Sequence, residues 1–207
     1  MANLHLVTGH QGSAHISAAD QGSLYAAILG AGNYVLARGK QFAVSVISNN
    51  QIRIADGDLM MQGRHVRLNE DTYADLTIEN GTQGYKRNDL IVCRYTLAQS
   101  TGEEECNLVV IKGEETTGTA SDPEYSSGSI LDGDTQVDFP LYRVPLSGLS
   151  VGTPIQLFSV LPGVLPLSGG TLTGALTVKG LYLTSGVDYF STAPSSAPKG
   201  KLILVKV

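Results

Sequence analysis

The sequence predicts a mainly β protein. It reads as an antiparallel β-sandwich or barrel, preceded by an N-terminal arm and short helix and followed by an extended, fibre-like β segment. Three observations carry this. Short runs of alternating apolar and polar residues recur at roughly 8–12-residue spacing, separated by Gly, Asn and Asp turn signals. A single stretch near the N-terminus has helical spacing instead. Charged residues make up only 16% of the 207-residue chain, which carries 24 glycines and no tryptophan, against about 25% charged in ordinary globular proteins. Such a composition suits extended β structure or surfaces covered by other subunits. The length allows one ordinary domain with appendages or two small domains.

Residues 1–15 read as an irregular arm. The helix follows: Ser17 is a suitable N-cap and Asp20, three residues on, completes a variant capping box. Leu24 and Ile28 share one face with Tyr25 and Leu29 beside them, the spacing of an amphipathic helix, and Gly30 and Gly32 end it. Gly22 inside the helix costs up to about 1 kcal/mol relative to Ala, so the helix is expected to need docking. Leu24, Ile28 and Leu29 are therefore the expected docking residues of a segment covering residues 1–36.

A β domain is expected over 37–161. Phe42, Val44 and Val46 alternate with Ala43, Ser45 and Ile47, and Asn49-Asn50 reads as a tight hairpin leading into residues 51–54. Asp56-Gly57-Asp58 reads as a turn, residues 59–61 and 64–68 as strands around Gly63, and 74–79 as a strand ending in a second hairpin signal, Asn80-Gly81. Residues 89–95 and 107–112 are the most apolar strands, joined by a polar loop over 99–105. Residues 113–129 read as a long loop. Residues 139–144 and 155–160 are two further strands, with Pro140 and Pro145 placing the first at an edge or bulge. The predicted core draws on Phe42, Val44, Val46, Ile52, Ile54, Val66, Leu76, Ile78, Leu90, Val92, Val109, Ile111, Leu141 and Val144.

Pro162-Gly163 closes that domain. Residues 165–180, Leu-Pro-Leu-Ser-Gly-Gly-Thr-Leu-Thr-Gly-Ala-Leu-Thr-Val-Lys-Gly, set Gly, Ser and Thr between evenly placed leucines. After a Ser/Pro/Gly stretch, residues 201–207 read as an apolar strand that needs a partner, another subunit among the choices.

Net charge is −5, which argues against nucleic-acid binding, where a basic stripe is expected. Lys86-Arg87 is the nearest approach to a basic cluster and reads as a solvated loop. Cys93 and Cys106 fall on the two arms of one hairpin; free thiols are the preferred reading, with a disulfide left open. No leader-like start is read at the N-terminus, and no run approaches the roughly 20 apolar residues that span a bilayer.

The block at 165–180 resembles the L-P-L-S/T-G-G-T-L/M-T-G element of bacteriophage tail fibres. Residues 8–161, through Ala19-Asp-Gln-Gly22, Asn33-Tyr-Val-Leu36, Ile52-Arg-Ile-Ala-Asp-Gly-Asp58, Met61-Gln-Gly-Arg64, Thr77-Ile-Glu-Asn-Gly-Thr-Gln-Gly84, Arg87-Asn-Asp-Leu-Ile-Val92 and Phe139-Pro-Leu-Tyr-Arg-Val144, are similar to a family of prophage tail or baseplate proteins of Gram-positive gut bacteria. The resemblance implies a virion protein of the tail tip, made in the host bacterial cytoplasm, and supplies no catalytic residues. In a fibre, Leu172 and Leu176 would point to a three-fold axis, Leu165 and Leu167 would join the contact, and Gly169, Gly170 and Gly174 would permit close backbone approach. A flexible linker is the alternative. A homotrimer is expected, with a hexameric ring open as a second symmetry.

His5, His10 and His15 recur at five-residue spacing; three chains would gather them around an axis, but solvated histidines in a docking arm are the preferred reading. His65 falls on the polar phase of its strand and reads as a surface residue. Asp56, Asp58, Glu70, Asp71 and Asp75 are close enough in sequence to suggest a glycosidase pair or a Ca²⁺ site, though no EF-hand spacing is present. No nucleophile elbow, phosphate loop or zinc-protease helix occurs. Asn80-Gly81-Thr82 matches a glycosylation sequon that its turn value already explains. Gly22, Gly57 and Gly63 read as turn or bulge glycines. The expectation is a structural protein without cofactor, not an enzyme, that attaches or forms the base of a tail fibre. Its partners would be other tail or baseplate proteins and a distal fibre or receptor-binding protein, with no nucleic acid and no membrane insertion. The alternatives are a receptor-binding protein touching host cell-wall polysaccharide through loops 97–106 and 113–135, or a polysaccharide depolymerase. Residues 162–207 would form the shaft-like segment.

Overall fold

The computed structural model describes residues 16–161 together with residues 188–190 and 203–205. The chain divides into two compact units, Met1–Val164 and Leu165–Val207. The described residues of the first are mainly β, with antiparallel sheets and one short helix.

Helix α1 spans Ala18–Leu29, and its start matches the sequence reading. The Ser17 hydroxyl accepts from the Asp20 N–H at 3.1 Å, while the Asp20 carboxylate accepts from the Ser17 N–H at 3.0 Å. Gly30 ends it at φ 91°, donating to the Ala26 carbonyl.

The first sheet is built around β3 (Gln51–Met61). Along one side runs β4 (Arg64–Thr77); along the other, end to end, lie β2 (Val44–Ser48) against residues 51–54 and β1 (Asn33–Leu36) against residues 59–61. The two-residue turn Gln62-Gly63, with φ 48° and 89°, joins β3 to β4, as the primed hairpin turns require. Asp56-Gly57-Asp58 is not a turn: β3 runs straight through it, and residues 69–72 of β4 bulge opposite Asp56 instead, with Asp71 at φ 58°. The reason is Phe42. Its N–H donates to the Asp56 carbonyl at 3.2 Å, and a Cβ on Gly57 would stand 2.8 Å from the Phe42 nitrogen. Gly57 serves close packing of a core phenylalanine, not a reversal.

The second sheet has the order β6 (Glu103–Ile111), β5 (Lys86–Ala98), β7 (Gln136–Ser147), with β8 (Ser150–Val151) and β9 (Ile155–Gln156) on the far side of β7. Pro140 sits where the β5–β7 register shifts, the bulge its missing N–H calls for. The expected strand at 155–160 divides between sheets: β9 joins the second, while β10 (Val160–Leu161) pairs in parallel with β1 in the first. The polar loop shrinks to residues 99–102, because β6 begins at Glu103. Asn80-Gly81 makes no hairpin, since it lies in the crossover from β4 in one sheet to β5 in the other. A Cβ on Gly81 would stand 2.1 Å from the Gly148 carbonyl oxygen.

One apolar cluster draws on both sheets, including Val35, Phe42, Ile52, Ile54, Ile91, Tyr95, Leu141 and Val144. Three core expectations are corrected. Val46 is exposed. In β6 the residues packed on the cluster are Leu108 and Val110, not Val109 and Ile111. Leu90 and Val92 are buried but lie on the face opposite Ile91 and Cys93. That face, shared with Asn88 and Arg94, is covered by the long segment after β6: Asn88 donates to Asp122 at 2.9 Å, and Arg143 to the same carboxylate at 2.6 Å.

Lys86-Arg87 is the largest departure from expectation. Arg87 is 1% exposed and Asp89 is fully buried. The Arg87 guanidinium donates to Asp89 at 2.9 and 3.2 Å, to Glu115 at 3.0 Å, to the Asn80 carbonyl at 3.2 Å and to the Glu79 carbonyl. Asp89 also accepts from the Gly113 N–H at 2.9 Å. Arg87 falls in the same phase of β5 as the core residues, so its charge is buried with its partners rather than solvated.

In the second unit, β11 (Asp188–Phe190) pairs in parallel with β12 (Ile203–Val205), so part of the terminal strand has a partner in its own chain. Leu165, Leu167, Gly169, Gly170, Leu172, Gly174 and Leu176 lie outside the described residues, as do His5, His10 and His15.

Replacing Arg87 by Met removes one member of a buried, hydrogen-bonded ion pair and leaves Asp89 uncompensated. The expected loss is about 3–5 kcal/mol, read as a lower denaturant midpoint in chemical unfolding. The double variant Arg87→Met/Asp89→Leu is expected to recover part of it.

Candidate functional site: the outer face of helix α1

Helix α1 packs on the β3–β4 hairpin through glycines. Gly22 is the buried residue of the helix; a Cβ on Gly63 would stand 2.1 Å from the Gly22 carbonyl oxygen, and a Cβ on Gly22 would stand 2.2 Å from Arg64 Nη1. Gly22 is thus a packing glycine, not a turn glycine, and the helix gains the docking that its propensity demands. At 100° per residue, Leu24 and Ile28 lie roughly 200° and 240° around the helix from Gly22. They accordingly face away from the sheets, 51% and 60% exposed, with Ile16 before the helix at 54%; Leu29 and Tyr25 are half-buried. A helix anchored by its smallest residue presents two large apolar residues, Leu24 and Ile28, outward. Large apolar side chains clustered in the open mark contact surfaces.

Between α1 and the sheets lies a cleft of about 470 Å³ lined by Gln21, Tyr25, Arg64, Tyr95, Glu104 and Cys106 among others. Its floor is a two-pronged ion pair: Arg64 donates to Glu104 at 2.8 and 2.7 Å. That hydrogen bonding holds the Glu104 carboxyl below the usual carboxylate range, against the effect of burial. Gln21 donates to the Tyr25 hydroxyl at 3.1 Å, fixing the helix wall. Neither Arg64 nor Glu104 stood out in the sequence, because the partners are 40 positions apart on different sheets.

The carboxylates read from sequence as candidate catalysts are engaged elsewhere. Asp56 meets Lys40 Nζ at 2.9 Å, and that contact holds its carboxyl low. Asp58 accepts from Arg67 at 2.7 Å and bonds His65 at 2.6 Å, with Arg38 at 3.7 Å. Burial alone would raise the Asp58 carboxyl; the hydrogen bonds from Arg67 and His65 outweigh it and leave it low. Asp75 accepts from Arg53 at 2.7 and 2.8 Å and is lowered by it, and the same guanidinium stacks 3.5 Å over the Tyr73 ring. Asp71 pairs with Lys40 at 3.2 Å. Glu70 is exposed beside a recess of about 250 Å³ shared with Arg38, Asp58 and Arg67. A glycosidase acid needs its carboxyl raised and held protonated; Asp56, Asp58 and Asp75 are all driven the other way. Among the described residues no group of three or more His, Cys, Asp or Glu side chains is placed to hold a metal, and no helix is long and apolar enough to cross a membrane.

The loops expected to meet glycan take different forms. Residues 103–106 belong to β6. The segment 113–135 is tied down through Asp122 to Arg143, and through Gln62, which donates to the Gly128 carbonyl at 2.9 Å and accepts from the Ile130 N–H at 2.6 Å. Tyr125 and Leu131 are its large exposed apolar side chains.

Two outcomes follow. Gly63→Ala places a methyl against the Gly22 carbonyl at a residue with φ 89° and is expected to cost at least about 1–2 kcal/mol. The loss should fall on α1, whose amides exchange hydrogen faster by mass spectrometry while those of β5 stay protected. Acid should destabilise the domain through the carboxylates held low by cations. Their contribution is fully present above the unfolded carboxyl range of about 4 and is lost as pH falls through the still lower folded values, so thermal midpoints should be level from about pH 5 to 7 and fall steeply below about pH 4.

No protein-family model matches the chain and no curated protein matches it.

Proposed function

We propose that this chain is a structural protein of a phage tail tip, which attaches a tail fibre to the baseplate or forms the fibre's base. The observation that carries the reading is the outer face of α1: a helix held at Gly22 so that Leu24 and Ile28 stand 51% and 60% exposed is built to be covered by a second protein. The low charge of the whole chain, 16%, supports the same reading, as does the fibre-type leucine and glycine pattern at 165–180. Leu149, Ile155 and Leu157, late in the first unit, are also exposed and suit a second contact. We read the two sheets around their common core as a β-sandwich. The carboxylates paired with Lys and Arg serve as fold-holding ion pairs, and the work is mechanical coupling through buried interfaces. The oligomer is a homotrimer held by Leu165, Leu167, Leu172 and Leu176, with Gly169, Gly170 and Gly174 at the close approaches. The protein is carried in the virion.

Light scattering on the full chain at micromolar concentration is expected to give three times the 21.8 kDa chain mass; a monomer would overturn the trimer. Leu24→Asp/Ile28→Asp is expected to keep the far-ultraviolet dichroism and oligomer mass of the parent but to be missing from purified tails by immunoblot. Incorporation at the parental level would remove α1 as the docking element. Specific binding of host cells by the isolated chain would replace the structural reading with a receptor-binding one.

A further inference from the structure

Cys93 and Cys106 lie on facing strands of the β5–β6 hairpin. Cys93 is in register with Leu108 and Cys106 with Tyr95, so the two cysteines are diagonal neighbours on one face of the ladder. Both are free thiols, and both line a recess of about 270 Å³ with Phe42, Val66 and Leu108. Their access differs. Cys93 is 2% exposed. Cys106 is half-buried and also borders the open cleft beneath α1. One thiol meets solvent, and the other stands behind it.

We propose that Cys93 and Cys106 are a redox modification site, in which a small-molecule disulfide reacts at Cys106 and Cys93 then closes a cross-strand disulfide. The Cys106 thiolate attacks one sulfur of the incoming disulfide, whose S–S bond breaks and releases one thiol. Cys93 gives up its proton and attacks the Cys106 sulfur of the mixed disulfide, releasing the second thiol. Two protein thiols are oxidised by two electrons, and one small disulfide is reduced to two thiols. The order of attack follows from access. It is supported by the interaction between the two neighbouring thiols, which holds the Cys106 thiol low and, with burial, pushes the Cys93 thiol up.

The bond is expected to be reversible. Diagonal residues of an antiparallel ladder have Cα atoms about 7–8 Å apart, beyond the roughly 4.4–6.8 Å of a relaxed disulfide. Closing it requires the backbones of β5 and β6 to shift along one another at this point, and the adjoining recess gives the side chains room to move. A disulfide formed under such strain is more easily reduced than a structural one. The site is independent of the tail-tip reading, since it uses only the hairpin and the cleft.

The test is to incubate the full-length reduced protein with excess glutathione disulfide, quench with acid and record intact mass. The wild type should lose about 2 Da, one S–S bond per chain, carry no glutathione, and show no maleimide-reactive thiol after denaturation; mild dithiothreitol should restore both. Cys93→Ala should instead accumulate a stable single glutathione adduct, mapped to Cys106 by peptide mass spectrometry. Cys106→Ser should resist modification in the native state. A persistent adduct on the wild type, two thiols still free, or a disulfide-linked dimer would each overturn the proposal. If Cys93→Ala fails to fold, the wild-type mass and Cys106→Ser decide the matter alone.

Discussion

The buried guanidinium of Arg87 fixes how the two sheets are joined. The carbonyls of Glu79 and Asn80, which it takes as acceptors, belong to the crossover leaving the first sheet. Asp89 belongs to the central strand of the second, and Glu115 to the segment returning over that sheet's outer face. A crossover with no strand partner leaves backbone acceptors without ladder bonds, and burying them unpaired is costly. One planar side chain with five donors meets that need at a single point, while Asp89 balances its charge. The neighbouring Lys86 forms a backbone bridge with Thr116, so the crossover, the sheet and the covering segment converge within a few residues.

Much of the remaining architecture follows from that convergence. With residues 113–135 held across it, β5 is apolar on both faces: Ile91, Cys93 and Tyr95 turn to the shared core, and Leu90 and Val92 to the covering segment. Gln62, in the β3–β4 turn of the first sheet, bonds both Gly128 and Ile130 of that same segment. The turn that positions the segment also carries Gly63, on which α1 rests. The placement of the outward helix face is thus linked to the burial of the second sheet through one side chain.

The local grammar of this fold was legible in the sequence: the capping box at Ser17 and Asp20, the Asn49-Asn50 hairpin, and Pro140 at a bulge are each set by residues within a few positions. What could not be read depended on distant partners. The alternation in β5 has apolar residues in both phases, so its pattern does not tell Leu90 and Val92 from Ile91 and Cys93 as the core face. Asn80-Gly81 carries a hairpin signature, yet the next strand belongs to another sheet. Asp56-Gly57-Asp58 has turn composition, but Phe42 needs the glycine for contact. Arg87 did leave a trace, since it lies in phase with Asp89 and Ile91 on a strand, where a solvated pair would break the pattern. At the site, the i, i+4 placement of Leu24 and Ile28 was legible, whereas the face on which the helix would rest was not, because Gly22 has no hydropathy to announce it.

The surfaces on which an assembly can form differ in what guards them. Among the described residues, the outer edges of β4 and β6 carry no partner strand, and an open edge is the usual route to unwanted strand pairing. Both are guarded. β4 carries Arg64, Arg67, Glu70, Asp71 and Asp75 and bulges at residues 69–72; β6 opens with Glu103, Glu104 and Glu105. A second chain adding a strand there would set its backbone against charges that already have partners: Arg67 with Asp58, Asp75 with Arg53, Glu104 with Arg64. The face of α1 differs: Leu24 and Ile28 stand exposed on it beside the polar Gln21, and a helix offers no open ladder edge. Covering Leu24 and Ile28 buries two exposed apolar side chains, whereas strand addition at β4 or β6 desolvates charged side chains, so contact on α1 carries the smaller desolvation cost. A partner that docks by side-chain packing is therefore favoured over one that extends a sheet.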